Sequence, residues 1–286
     1  MTFDNLATGV VAGVVATLLV IAGQWILARL NNFELQLKLR IPRGSKVRVV
    51  VPVYHGRAPN PLPDLPVLAT DDATALAYMY EALGRIGAHP TYQFSEQGPS
   101  GHEAMHAIAI GGPISNREVR DLLWNRWPKF HLYGVEVPSG INPKADEAVC
   151  SPAGFQFGDR PYFVSSPGED EPAVIARVWN GITRRYTTMI FGVGGRGTAG
   201  AARFAATDYR RLPWAPTFFM VVFVNRDYEV VRSEVLETKP APNATHRTDD
   251  DWWIGCEECG DRASADIEFE DALRRLVKRG RASSTR

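Results

Sequence analysis

The chain is 286 residues long, with 45% hydrophobic and 22% charged residues, a composition that argues against disorder and suits one large domain with appendages. Lys plus Arg and Asp plus Glu balance at 32 each. There is therefore no global positive field, and nucleic acid is not expected as the main partner.

Leu6 to Ala28 carries no charged side chain, and roughly 20 apolar residues suffice for a helix to cross a bilayer core. The leader, MTFDN, is acidic rather than basic, so the stretch reads as a transmembrane anchor and not as a cleaved signal peptide. Behind it come Arg29, Lys38, Arg40, Arg43, Lys46 and Arg48, against only Asp4 in front. Basic residues are retained on the cytoplasmic side. The expected topology is a single pass through the inner membrane, with the N-terminus outside and the body of the protein cytoplasmic. Gly9 and Gly13 form a G-x-x-x-G, continued by Ala12 and Ala16, a face on which two such helices can associate as a homo-oligomer. Gln24 and Trp25 sit near the cytoplasmic end of the span, Trp25 as an interfacial anchor.

Phe33 to Ile41 alternates apolar and polar residues, which favours a strand, although its Leu, Lys, Glu and Gln also suit an extension of the helix. VRVVVPVY, from Val47 to Tyr54, reads as a strand buried on both faces, and Pro59 to Pro66 as a loop. A helix capped by Thr70 or Asp71 is predicted to run to about Gly84, with Ala73, Leu76, Ala77, Tyr80 and Leu83 at helical spacing. Strands at TYQF and HAIAI follow. HAIAI leads through Gly111-Gly112 into a helix capped by Ser115 or Asn116, with Glu118 in its first turn. HLYGVEV, FQFG, YFVSS and AVIARVW read as strands joined by turns. MIFGVGGRGTAGAARF is again strand, glycine turn and helix, the helix reaching about Arg211, and TFFMVVFVN with YEVVRSEVLE forms a closing hairpin.

The pattern predicts an α/β protein: an N-terminal transmembrane helix followed by a three-layer, Rossmann-like domain with a mixed sheet. Its parts are an anchor at 1–30, a juxtamembrane segment at 31–46, the cytoplasmic domain at 47–238, and at 239–286 a linker, a C-x-x-C loop and a helix from about Ala265 to Arg279.

Two glycine turns carry the functional reading. A strand that ends in glycines and enters a helix aims backbone N–H groups and a helix dipole at one point, a natural anion site. The candidate ligand-binding residues are Gly111, Gly112, Ser115 and Asn116 at the first turn, and Gly192, Gly194, Gly195, Arg196, Gly197 and Thr198 at the second. Arg117 and Arg203 could complete such a phosphate site, although for each alone a solvated surface role is favoured, and the pair of turns suggests a nucleotide or other phosphorylated small molecule. Gly192, Gly194 and Gly197 match G-x-G-x-x-G, but the acidic residue expected about twenty positions on is displaced to about thirty, near Asp227, which disfavours a dehydrogenase.

GGRGT, Gly194 to Thr198, resembles the glycine-glycine-x-glycine-threonine element of the LOG-like, or SLOG, Rossmannoid superfamily of nucleotide-handling proteins. Val193 and Ala201 stand where enzymes of that family carry a proline before the motif and a glutamate after it. The resemblance therefore implies sensing of a nucleotide-derived signal more readily than phosphoribohydrolase chemistry; a signalling or bacterial defence setting is expected from the architecture, a membrane anchor joined to a ligand-binding domain, and not from any motif. Two alternatives stay open. One is a membrane-tethered nucleoside or NAD glycohydrolase using Glu81, Glu96 or Glu103. The other is a scaffold that docks a partner through its tail. His55 and Asp71 sit where the first strand meets its loop and helix, a ligand-facing place in such a sheet, although an ordinary surface role is the favoured reading for both. No G-x-S-x-G, H-E-x-x-H or P-loop lysine is present. Cys256 and Cys259 form a C-x-x-C whose favoured reading is plain proximity in an acidic loop; the alternatives are two of the four ligands of a structural zinc, completed by His246, Cys150 or a second subunit's pair, or a redox pair.

Overall fold

The computed structural model describes residues 3–52, 54–55, 66–95, 105–137, 149–164, 169–180, 183–239 and 253–254. The expected C-terminal helix, Cys256, Cys259, His246, Glu96 and Glu103 lie outside them.

Phe3–Leu39 is one continuous helix, α1. The strand expected over Phe33 to Ile41 is not formed. Leu35 and Leu39, four residues apart on one helix face, are buried in the core with Ile41, while Phe33 and Leu37 are exposed. The alternation thus also places two leucines at helical spacing, and packing on the domain selects the helix. Further up α1, Val14, Leu18, Leu19, Ile21, Trp25 and Leu30 are exposed. By length and composition the helix can cross a membrane, with a mean hydropathy of 1.6 over an unburied apolar window. Gly9 and Gly13 fall where only its backbone is described.

After α1 come β1 (Lys46–Val51), β2 (Tyr54–His55), β3 (Pro66–Val67), α2 (Thr70–Arg85), β4 (His89–Phe94), β5 (His106–Ile110) and α3 (Arg117–Arg126). Then follow β6 (Phe130–Val137), β7 (Val149–Phe157), β8 (Arg160–Phe163), β9 (Glu171–Asn180), β10 (Arg185–Gly192), α4 (Gly195–Thr207), β11 (Phe218–Val224), β12 (Val230–Glu237) and β13 (Trp253–Ile254). The predicted strand over 47–54 stops at Val51, and Tyr54–His55 pairs with Pro66–Val67 instead. Neither Thr70 nor Asp71 caps α2; Ala69 does so with extended backbone, and Asp71 and Asp72 lie in the first turn, at the positive end of the dipole. Helix α4 ends at Thr207, and a short 3-10 turn covers Tyr209–Arg211.

Seven strands form one mixed sheet in the order β12-β11-β9-β10-β5-β1-β4. Strands β4, β1, β5 and β10 are parallel neighbours, and β9 enters antiparallel between β10 and β11. Both faces of the central strands are buried, as their unbroken apolar runs require, while the edge strands β4 and β12 are half-buried or exposed. Val47, Val49, Ile108, Ile190 and Met220 face α2, α4 and the end of α1. Val50, Ala109, Met189, Phe191 and Phe219 face α3 and a second sheet of order β13-β6-β7-β8. Phe130 fastens that sheet down, its ring 5.5 Å from Phe155, 5.8 Å from Phe191 and 6.0 Å from Phe219. From the tail, Trp253–Ile254 adds a strand beside Leu132 and Tyr133.

The end of α1 is bolted to the sheet by a buried cation. Arg177 on β9 is 1% exposed. Its guanidinium donates to the carbonyls of Pro216 at 3.1 Å, Ala215 at 2.6 Å, Pro213 at 3.4 Å and Lys38, the last in the final turn of α1. Lys38 reciprocates, donating to Leu212 O at 2.6 Å with its ammonium 4.0 Å from the Trp214 ring centre. Replacing Arg177 by Met should leave these carbonyls buried without donors, at a cost of about 3 kcal/mol or more, read as a lower midpoint in denaturant unfolding.

At the other end of β5, His106 is buried, and its Nδ1 accepts the Tyr186 N–H at 3.4 Å. Burial, with Arg185 nearby, lowers its pKa from 6.5 to about 4. The unfolded chain binds the proton first, so stability is whole above about pH 6.5 and falls as the pH drops towards 4. Thermal unfolding of wild type should follow that slope across the window, and His106→Gln should flatten it.

Candidate functional site

At the end of β5, Gly111 has φ +92°, and a Cβ there would lie 2.8 Å from Pro52 Cγ, so both conformation and space demand glycine. Asn116 closes this turn from inside. Fully buried, it donates to Ile110 O at 2.7 Å and Val50 O at 3.3 Å, and its Oδ1 accepts from the N–H of Glu118 and Val119. It caps α3 and ties that helix to the ends of β1 and β5.

At the end of β10 the turn closes on itself and on a neighbouring carboxylate. Thr198 Oγ1 accepts the Gly192 N–H at 2.9 Å and donates to Gly194 O at 3.3 Å. Glu171, the first residue of β9, reaches under the start of α4, where Oε1 accepts from Gly194 N at 2.6 Å and Gly197 N at 2.8 Å. Arg196 pairs with Glu171 Oε2 at 3.4 Å and donates to Glu169 O at 2.7 Å. A Cβ on Gly197 would stand 2.5 Å from Glu171 Oε1, and one on Gly194 3.0 Å from it. The backbone left bare at these two positions thus accommodates a carboxylate of the chain itself. Arg196, expected to face a phosphate, turns to that carboxylate. A Cβ on Gly195, by contrast, would overlap the side chain of Asp71 across the gap to α2.

The two turns meet. Helix α3 leaves β5 towards one face of the sheet, and α4 leaves the adjacent parallel β10 towards the other. Such a divergence opens a crevice beyond the strand carboxyl ends. There lies a cavity of about 390 Å³. Gly112 and Ser115 border it from the first turn, and Gly192, Gly194, Gly195 and Thr198 from the second. Gly111, Asn116, Arg196 and Gly197 do not line it; they hold the turns in shape. Leu132, Phe155, Phe191 and Ile114 supply an apolar wall, and Asp71 and Asp72 enter from the first turn of α2. Asp72 is buried, and Asp71 accepts from the Tyr228 hydroxyl at 3.3 Å. Asp71 also raises the Tyr228 pKa above its usual value. Among the described residues no arginine, lysine or histidine lines the cavity. It is a carboxylate-bearing chamber with an aromatic wall, of a volume suited to a small ligand.

Asp72, Tyr228, Phe155 and Glu171 are contributions that the sequence reading does not single out. The Asp-Asp doublet at a helix start is the one usable signal for Asp72. Glu81, a candidate base, is exposed on α2 and does not line the cavity. Among the described residues no group of three or more His, Cys, Asp or Glu is arranged to hold a metal ion. No protein-family model matches this chain, and comparison with curated proteins finds no match.

Because Glu171 serves two N–H groups, Glu171→Ala should destabilise the protein by about 1–3 kcal/mol. Glu171→Gln keeps an acceptor oxygen and should restore most of the loss, as judged by denaturant unfolding of the three proteins side by side.

Proposed function

We propose that this chain is a single-pass membrane protein whose cytoplasmic, Rossmann-like domain senses a nucleotide-type ligand in the cavity between the glycine turns. The observation that carries the reading is the convergence of two turns, about eighty residues apart in sequence, on one chamber beyond the ends of adjacent parallel strands. The GGRGT resemblance to the SLOG superfamily points the same way. The lining refines the ligand's orientation. Carboxylates suit hydroxyl and amine donors, so the sugar or base edge faces Asp71 and Asp72, with the base against Phe155 and Phe191. Phosphate faces the N–H of Gly195, the first residue of α4, which lines the cavity and which Glu171 does not take.

A second reading, nucleoside or NAD glycohydrolysis, draws on the same two aspartates, since cleavage of a glycosidic bond needs a carboxylate near the ribose. One experiment separates the two. Thermal unfolding of the full-length protein in detergent is followed against nucleotides, cyclic nucleotides and NAD derivatives, with mass spectrometry of each mixture. The full chain is required because Leu35 and Leu39 of α1 belong to the core. A sensed ligand at about 100 times its Kd adds about 2.7 kcal/mol, and Asp71→Asn and Gly195→Val should remove the shift. A released base would move the reading to the enzyme; no shift anywhere in the panel would end it.

A further inference from the structure

A second cavity, of about 590 Å³, lies between α1 and the C-terminal end of α2. One face of α1 runs through it. Trp25, Arg29, Asn32 and Gln36, spaced at four, three and four residues, line the cavity together with Arg43 and Arg85. Continued towards the N-terminus at the same spacing, that face carries Ile21, Leu18 and Val14, all exposed. It changes at Trp25 from wholly apolar to basic and amide.

The three arginines have no carboxylate among the cavity's lining residues, and none of them forms an ion pair among the described residues. The Arg29 guanidinium stands 5.0 Å from the Trp25 ring centre. Arg85 donates to Asn32 Oδ1 at 3.4 Å and to Ala206 O at 3.1 Å, which fixes its plane while leaving its charge uncompensated. At the C-terminal end of α2 the N–H groups of Ile86 and Gly87 bond back to Ala82 O and Gly84 O. Three unneutralised guanidiniums around one hollow create a demand for an anion, and the planar arginine fork matches phosphate oxygens.

We propose that this cavity binds the phosphate headgroup of an anionic phospholipid from the leaflet on the domain's side. The inference rests on reading α1 as membrane-spanning. A lipid, rather than a soluble phosphate, is favoured by the continuity of the face: Trp25 marks the interface, Arg29 and Arg43 meet the phosphate, Asn32 and Gln36 meet headgroup hydroxyls, and Ile21, Leu18 and Val14 take the acyl chain.

The test is native mass spectrometry of the full-length protein released from mixed vesicles of phosphatidylglycerol and phosphatidylcholine, with glycerol 3-phosphate as soluble competitor. Phosphatidylglycerol should be retained several-fold over phosphatidylcholine. The Arg29→Ala, Arg43→Ala double variant, at two exposed positions, should lose that preference, while the corresponding double Lys variant keeps most of it. Equal retention of the two lipids, or a preference unchanged in the alanine variant, would overturn the proposal. So would displacement by glycerol 3-phosphate, which would assign the cavity to a soluble anion. Alkaline carbonate treatment of membranes separates the two levels: extraction of the protein removes the membrane reading and this inference together, whereas an integral protein without lipid preference removes this inference alone.

Discussion

The carboxylate of Glu171 under the first turn of α4 is the contact around which the cavity end of the molecule is arranged. A helix that begins at the buried end of a strand has N–H groups that neither the helix nor water satisfies. Here an antiparallel neighbour, β9, begins beside that point, and its first residue supplies the acceptor. Gly194 and Gly197 follow from this choice, because a side chain at either would meet the carboxylate. So does the character of the cavity. With the dipole answered in part from within, Arg196 is drawn to Glu171, and among the described residues the charged groups facing the chamber are Asp71 and Asp72.

A second constraint joins that chamber to α1. Helix α4 has 13 residues, which makes it about 20 Å long at 1.5 Å per residue. Its first turn borders the cavity. Near its last turn, Arg85 donates to Ala206 O while also holding Asn32 of α1, the Tyr209 hydroxyl donates to Asn31 O, and Arg210 pairs with Glu34 at 2.9 Å. The carbonyl cage around Arg177 fixes the end of α1 to β9, the strand that also begins with Glu171. The two ends of the molecule are therefore linked by two rigid elements, α4 and β9, and not by a linker. A change in the first turn of α4 would have to be absorbed by these contacts or passed to α1.

How much of this is legible in the sequence depends on the range of the interaction involved. The strands at Val47, HAIAI, MIFG and TFFMVVFV are written in runs of apolar residues too long to leave a face exposed, and the two glycine turns stand at their ends. Local signals suffice there. Asn116 was recognisable as a cap, but its second pair of bonds, to Ile110 and Val50, depends on two strands meeting. The segment at Phe33 to Ile41 was misread because period two and a four-residue leucine spacing coexist in it, and only the surface presented by α2 and α4 distinguishes them. Glu171 and Arg177 could not be read at all. Each is a charge in an otherwise apolar strand, and its partners lie 23 to 26 and 36 to 139 residues away.

The balanced charge of the chain has a different meaning once the charges are placed. The 32 acidic and 32 basic residues cancel in sum, yet in space they separate: Asp71 and Asp72 enter the cavity beyond the strand ends, and Arg29, Arg43 and Arg85 surround the hollow beside α1. Electrostatic attraction between exposed groups fades over about 10 Å at ordinary salt. Each site therefore acts on a ligand through its own lining rather than through the total. The phosphate chemistry that glycine turns suggest in the sequence is, in the folded protein, answered at α4 largely by the chain's own carboxylate. Arginines without an ion pair among the described residues lie instead at the other end, where α1 leaves the domain.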